Sequence, residues 1–392
     1  MQNREGVKHP TKFRMNFLYR MFVCTLWTVA IAAYYFQFPF VDLASLIVPA
    51  FAAYLLISVK RILHEMDRSF LLLWFFLALY LTGNLFATVS FFSASETALR
   101  FYFIVLVIPI CFFLRNENFS AEYRIFCWLS ICKALFLIGM ALYMLYVGSY
   151  EPFRLWANSL GGDMYFVYDF FPRIQVSGNA LLLVAFLMEF ARNKGLSVYL
   201  LLFFIGILIE GNFSFFLAIA VFLGYYFIRY VWQRGVTFKK LFVVFVVLIM
   251  GTGFCFYTLD QREQKADGGN ALRVAQAEVL LSGNPFVGEG LGAKVYDNVR
   301  LGRMADDKYF EIQTLYIFFQ IGFVGLILFY LSNILALRCV ASADAWCVYV
   351  VYLIGSFFNP YCFDVTQMVT AALCGNYLMI ALHKKSSGFD VV

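Results

Sequence analysis

The sequence predicts an all-α polytopic membrane protein, a bundle of about 12 transmembrane helices, and three observations carry that prediction. Hydrophobic residues make up 62% of the 392 residues and charged residues 14%, with a mean hydropathy of +0.77; an ordinary soluble domain carries roughly 25% charge. The apolar residues fall in long runs bounded by charge, and about 20 such residues cross the hydrocarbon core as a helix. The runs are continuous, not alternating, which excludes barrel strands. In lipid only helices and closed barrels satisfy their own backbone groups.

Taken in order, the runs place spans at 17–36, 40–59, 69–91, 99–114, 125–147 and 174–191. The second half gives 196–210, 213–231, 241–258, 311–335, 345–359 and 364–382. The seventh and eighth are short, and a single re-entrant feature is the alternative there. Positively charged flanks stay in the cytoplasm. Lys60, Arg61, Arg115, Arg124, Arg192, Lys194, Arg234, Lys239, Lys240, Arg338, Lys384 and Lys385 fall on one side, together with Arg4, Lys8, Lys12 and Arg14. The short turns 37–42, 92–97, 210–214 and 359–364 hold no Lys or Arg and are expected to face outward. Both termini are therefore expected in the cytoplasm, with the first span an anchor, since no small-residue cleavage site follows it. The net charge of +6 is explained by this topology, and a nucleic-acid partner is excluded.

The chain reads as one transmembrane domain, 1–392, with two enlarged outward loops at 148–173 and 259–310. Long loops in a compact protein are functional or disordered, and neither of these is low in complexity. The first mixes aromatics with Arg154, Asp163, Asp169 and Arg173. An interfacial segment with Trp156, Tyr165 and Tyr168 at headgroup level and a platform for a glycan or lipid headgroup are both compatible with it. The second carries Arg273 followed by NPFVGEGLG at 284–292, where Gly288, Gly290 and Gly292 allow positive φ or close backbone approach.

Nine cysteines are scattered without a Cys-x-x-Cys pair, so neither a disulfide framework nor a zinc site is expected. His9, His64 and His383 all lie on the predicted cytoplasmic flanks, so chemistry on the outer face runs without histidine. Within the spans the main polar residues are Asn84, Lys133, Asn179 and Glu189. Glu189 is close enough to the cytoplasmic end to reach Arg192, and Lys133 has no sequence-level explanation.

Three stretches carry a resemblance to the bacterial O-antigen polymerase and ligase superfamily of Wzy type. FPRIQVSGN, 171–179, puts an Arg at the mouth of a span; Arg273 precedes the glycine run; and EIQTLYIFFQIGFVG, 311–325, opens the next span with a polar residue and ends in two glycines. After the seventh span the chain reads EGNFS, where many relatives carry a Ser-Arg pair. Ligases of the superfamily are similar in placing a histidine where this chain has Glu311, so the polymerase branch is the nearer one.

The resemblance implies a GT-C-like membrane glycosyltransferase of the inner membrane that needs no cofactor. It would move a growing glycan from undecaprenyl diphosphate to the next lipid-linked repeat unit on the periplasmic face, and a chain-length regulator protein is a candidate partner. Such a reaction needs cations for the departing diphosphate and a base for the attacking hydroxyl. Arg173 and Arg273 are expected to grip the diphosphate, with Arg154, Arg300, Tyr316 and the glycines Gly288, Gly290 and Gly292 as further substrate contacts. Without histidine the base falls to a carboxylate, Glu311 first and Glu289 second. Two alternatives stay open: a ligase, which shares the machinery, and a lipid-linked oligosaccharide flippase, for which paired broken helices and internal repeats are the usual signs.

Overall fold

The computed structural model describes residues 17–36, 44–88, 96–114, 119–159, 162–167, 170–176, 178–193, 197–234, 271–293, 312–340, 342–357 and 362–386. The protein is mostly helical. The order is α1 (Phe17–Tyr35), α2 (Ala44–Glu65), α3 (Arg68–Thr88), α4 (Glu96–Cys111), α5 (Phe119–Val147), α6 (Glu151–Ser159), β1 (Asp163–Val167) and β2 (Phe171–Gln175). There follow α7 (Ala180–Asn193), α8 (Val198–Glu210), α9 (Phe213–Arg234), α10 (Ala271–Leu281), α11 (Gln313–Val340), α12 (Ala343–Ser356) and α13 (Val365–Ser386). A helix lies over every predicted span except 241–258, which falls outside the described residues. Four of them, α3, α5, α9 and α11, are long and apolar enough to cross a membrane.

Burial sorts the helices into rings. Leu72, Phe75, Phe76 and Leu79 on α3 and Val221, Ile228 and Trp232 on α9 are exposed, as a lipid-facing surface requires. In contrast α7 is buried from Ala180 to Glu189, and α13 from Thr366 to Tyr377. A helix that is apolar and buried all round sits at the centre of a bundle. Close packing there depends on small residues: a Cβ at Gly375 of α13 would lie 2.0 Å from the Phe112 carbonyl oxygen at the end of α4. Gly375→Ala is therefore expected to lower the unfolding temperature in detergent, by overpacking worth about 1–3 kcal/mol. Gly139→Ala on α5, with nothing within 4 Å, is the control and should leave it unchanged or slightly raised.

Local chemistry sets the helix ends. The Ser197 and Ser342 hydroxyls accept from Leu200 N and Ala345 N to start α8 and α12. Asp364 does the same for α13, accepting from Thr366 N at 2.8 Å. Gly148 and Gly211, both at positive φ, end α5 and α8 with left-handed caps onto Met144 and Ile207.

One expectation changes in detail. The sixth span was expected from 174, yet 171–175 is a strand paired antiparallel with β1, Tyr165 opposite Arg173, and the helix begins at Ala180. Pro172 holds Phe171 extended, and Gly178 at φ 85 breaks the chain before α7. The enlarged segment 148–173 is accordingly structured, holding α6 and most of this hairpin. The seventh and eighth spans are two helices, α8 and α9, joined at Gly211 and Asn212.

Candidate functional site

Two groups of polar contacts involve the residues singled out in the sequence, one at the hairpin and one at the glycine run. The first is built on the hairpin and the C-terminus of α8. Cross-strand pairing sets Tyr165 against Arg173; the Arg173 Nη1 donates to the Tyr165 hydroxyl and the guanidinium lies 5.4 Å from that ring's centroid. Its Nε donates to the Glu210 backbone carbonyl at 3.1 Å, and its stem packs on Gly211, where a Cβ would come within 3.1–3.3 Å of it. Arg173 is thus held by a phenol, a carbonyl and a ring, all neutral. No carboxylate lies within ion-pair distance of it among the described residues.

Glu210 is buried, and neither carboxylate oxygen has a hydrogen-bond partner among the described residues; Asn212 lies alongside without closing a bond of good geometry. Arg173 and Lys133 are the cations whose charge acts on it. Leaving one buried polar atom unpaired costs about 1–3 kcal/mol, more for a charge. A negative charge at a helix C-terminus also opposes the helix dipole. The charges of Arg173 and Lys133 offset part of that cost. Lys133, unexplained in the sequence, is buried and donates to the Tyr35 carbonyl at 2.7 Å, capping the C-terminus of α1. Asn179 donates to Ile174 O and ties the start of α7 to β2.

The second group is the glycine run, and it explains a break in α11. Gly322 has φ 60 and ψ −173, so the helix is interrupted there. The segment 284–292 fits into the gap and supplies what the break removes. Glu289 N donates to Phe319 O at 2.7 Å and Gly290 N to Gln320 O at 2.9 Å, while Phe323 N and Val324 N donate to Pro285 O and Phe286 O. Asn84 of α3 clamps the other side, donating to Val287 O and accepting from Leu291 N. The Tyr80 hydroxyl shares its one proton between Ile321 O at 2.8 Å and Val287 O at 3.0 Å. Irregular backbone inside a bundle needs this kind of internal satisfaction.

The sequence candidates are placed unevenly. Gly288, Gly290 and Gly292 all have positive φ, and Gly288 serves the docking of the loop. Glu289 is exposed, and its Oε1 accepts from Asn284 N at 2.7 Å, bracing the same loop. Arg154 on α6 is paired with Glu151 at 3.5 Å and Asp163 at 3.7 Å, a surface cluster unlike that of Arg173. Tyr316 is in the core, its ring edge-on to Phe101. Arg273 sits in α10, but its side chain, with Glu311 and Arg300, lies outside the described residues. Glu189 accepts from Tyr123 and lies 3.9 Å from Arg192, a structural anchor. Among the described residues no group of three His, Cys, Asp or Glu side chains is placed to hold a metal. Glu210 is the residue that sequence reasoning missed: it was visible only as the edge of a short turn, and its burial comes from the hairpin that folds over it.

Comparison with protein-family models finds no match, and comparison with curated protein sequences finds none either.

Proposed function

We propose that the protein is a membrane glycosyltransferase of the O-antigen polymerase type. It transfers a growing glycan from undecaprenyl diphosphate to the next lipid-linked repeat unit, at the outer face of a bacterial inner membrane. About 12 spans with both termini cytoplasmic put the hairpin end of the bundle on that outer face. The observation that supports this most is Arg173, a guanidinium whose hydrogen bonds go to neutral groups and which has no described carboxylate within ion-pair distance. A fork of that kind accepts a phosphate oxygen without first surrendering an ion pair. The diphosphate bond is already activated, so no nucleotide is needed on that side.

A flippase gains one feature from the structure, the interruption at Gly322. Transporters use paired breaks that expose half-helix ends to a substrate, whereas this break is filled by the backbone of 284–292. The test is reconstitution in lipid with undecaprenyl-diphosphate-linked repeat units. A ladder of lipid-linked oligomers with release of undecaprenyl diphosphate is the expected result. Movement of the substrate between leaflets without a ladder gives the transport alternative. Transfer only to an added lipid A core acceptor gives the ligase.

A further inference from the structure

We infer that Glu210 is the base of this reaction, the carboxylate that takes the proton from the attacking sugar hydroxyl; the inference rests on the polymerase proposal above. Three features of the site converge on it. Its two oxygens are buried and, with Asn212 alongside, accept no hydrogen bond of good geometry among the described residues, and an ionised carboxylate can only accept, so a substrate hydroxyl is a partner it can take. It belongs to the same turn as the anchor of Arg173, whose Nε is bonded to the Glu210 carbonyl. The cation for the leaving group and the acceptor for the proton are therefore adjacent. Glu289, the other described candidate, already spends an oxygen on Asn284 N.

The step balances. The acceptor oxygen forms a bond to the anomeric carbon of the donor glycan as its O–H bond breaks, and the hydrogen passes to a Glu210 carboxylate oxygen. The anomeric carbon–oxygen bond to the diphosphate breaks, and its electron pair leaves on the diphosphate oxygen that Arg173 holds. The proton then passes to the departing diphosphate or to water, which restores the carboxylate. Access requires the Arg173 stem, which packs on Gly211, to shift while the guanidinium keeps its bonds to the Glu210 carbonyl and Tyr165. Lys133, bonded to the end of α1, stays in place beneath.

The experiment is Glu210→Gln in the reconstituted assay, with the unfolding temperature measured on the same preparation. A base of this kind contributes about 10²–10⁴-fold. The expected result is a fall in kcat of about that size with KM changed little, while the unfolding temperature changes little, because the amide removes both a buried charge and its attraction to Arg173 and Lys133. Glu210→Asp should recover part of the rate. If Glu210→Gln turns over at the wild-type rate, Glu210 is not the base and the polymerase proposal stands without it. If the rate falls only in step with a lowered unfolding temperature, Glu210 is a structural counter-charge and the inference is overturned. If the wild-type protein makes no oligomer, the polymerase proposal fails and this inference goes with it.

Discussion

Gly288→Ala is expected to release the 284–292 segment from the interrupted helix and destabilise the protein more than any other single methyl described here. A Cβ at that position would stand 2.4 Å from Gln320 O and 2.6 Å from Gly322 N, and the residue has φ 76, which side chains resist. Neither contact is the far end of a flexible side chain, so nothing yields cheaply. Undocking removes the bonds from Glu289 N, Gly290 N, Phe323 N and Val324 N. At about 1 kcal/mol net for each bond, the loss is about 4 kcal/mol. It should appear as a lower unfolding temperature and as protease cleavage near Phe286. Gly292→Ala, at a residue with φ 84, should cost about 1–2 kcal/mol for the left-handed backbone. A Gly288→Ala protein with wild-type unfolding and protease resistance would show that the loop does not complete the helix.

The second large effect is expected at Arg173, and it is sharpest when set beside Arg154. Lysine at 173 keeps the charge but cannot reach the Glu210 carbonyl and the Tyr165 hydroxyl together, nor present a planar fork to a phosphate. Arg173→Lys should therefore lower turnover by about 10²–10³-fold, the range seen when a preorganised donor to developing negative charge is lost. Arg154→Lys should be nearly silent. Its partners Glu151 and Asp163 are exposed, and surface pairs of that kind are worth about 0–1 kcal/mol. Equal losses at both positions would place the anion elsewhere, as would a normal rate for Arg173→Lys. The readout is oligomer formed per minute from purified protein in lipid, with the unfolding temperature as the control for folding.

How far the sequence foretold this depends on the range of the forces involved. Helical class and helix positions were legible because hydropathy is summed over a local window of about 20 residues; α1, α3, α5 and α11 fall where those runs lie. The hairpin was not legible as a hairpin. FPRIQV is apolar enough to pass for the start of a span, and Pro172 and Gly178 are single residues inside a long apolar signal. Arg173 was identified from its place at a span mouth, but its fixed geometry comes from Tyr165 across the strand and from the end of α8. Glu210 was passed over because a carboxylate at a predicted turn looks solvated until a distant segment covers it. The glycine run was visible from composition, and its purpose was not, because the gap it fills is created by a different glycine, Gly322, in α11.

The lengths of α8 and α12, with the central α7 equally short, have a consequence for the lipid around the bundle. These helices have 13, 14 and 14 residues, which at about 1.5 Å of rise per residue is about 20 Å. The hydrocarbon layer is about 30 Å thick. Mismatch of that size is relieved by a locally thinned bilayer or by polar ends set below the headgroup plane. If the carrier is the polyprenyl diphosphate proposed above, either case would let its tail stay dissolved among acyl chains while its charged head dips toward Arg173, Glu210 and Asn212. A carrier lipid would then reach the protein sideways through the membrane, and thickening the bilayer with longer-chain lipids would tax that approach before it disturbed the fold.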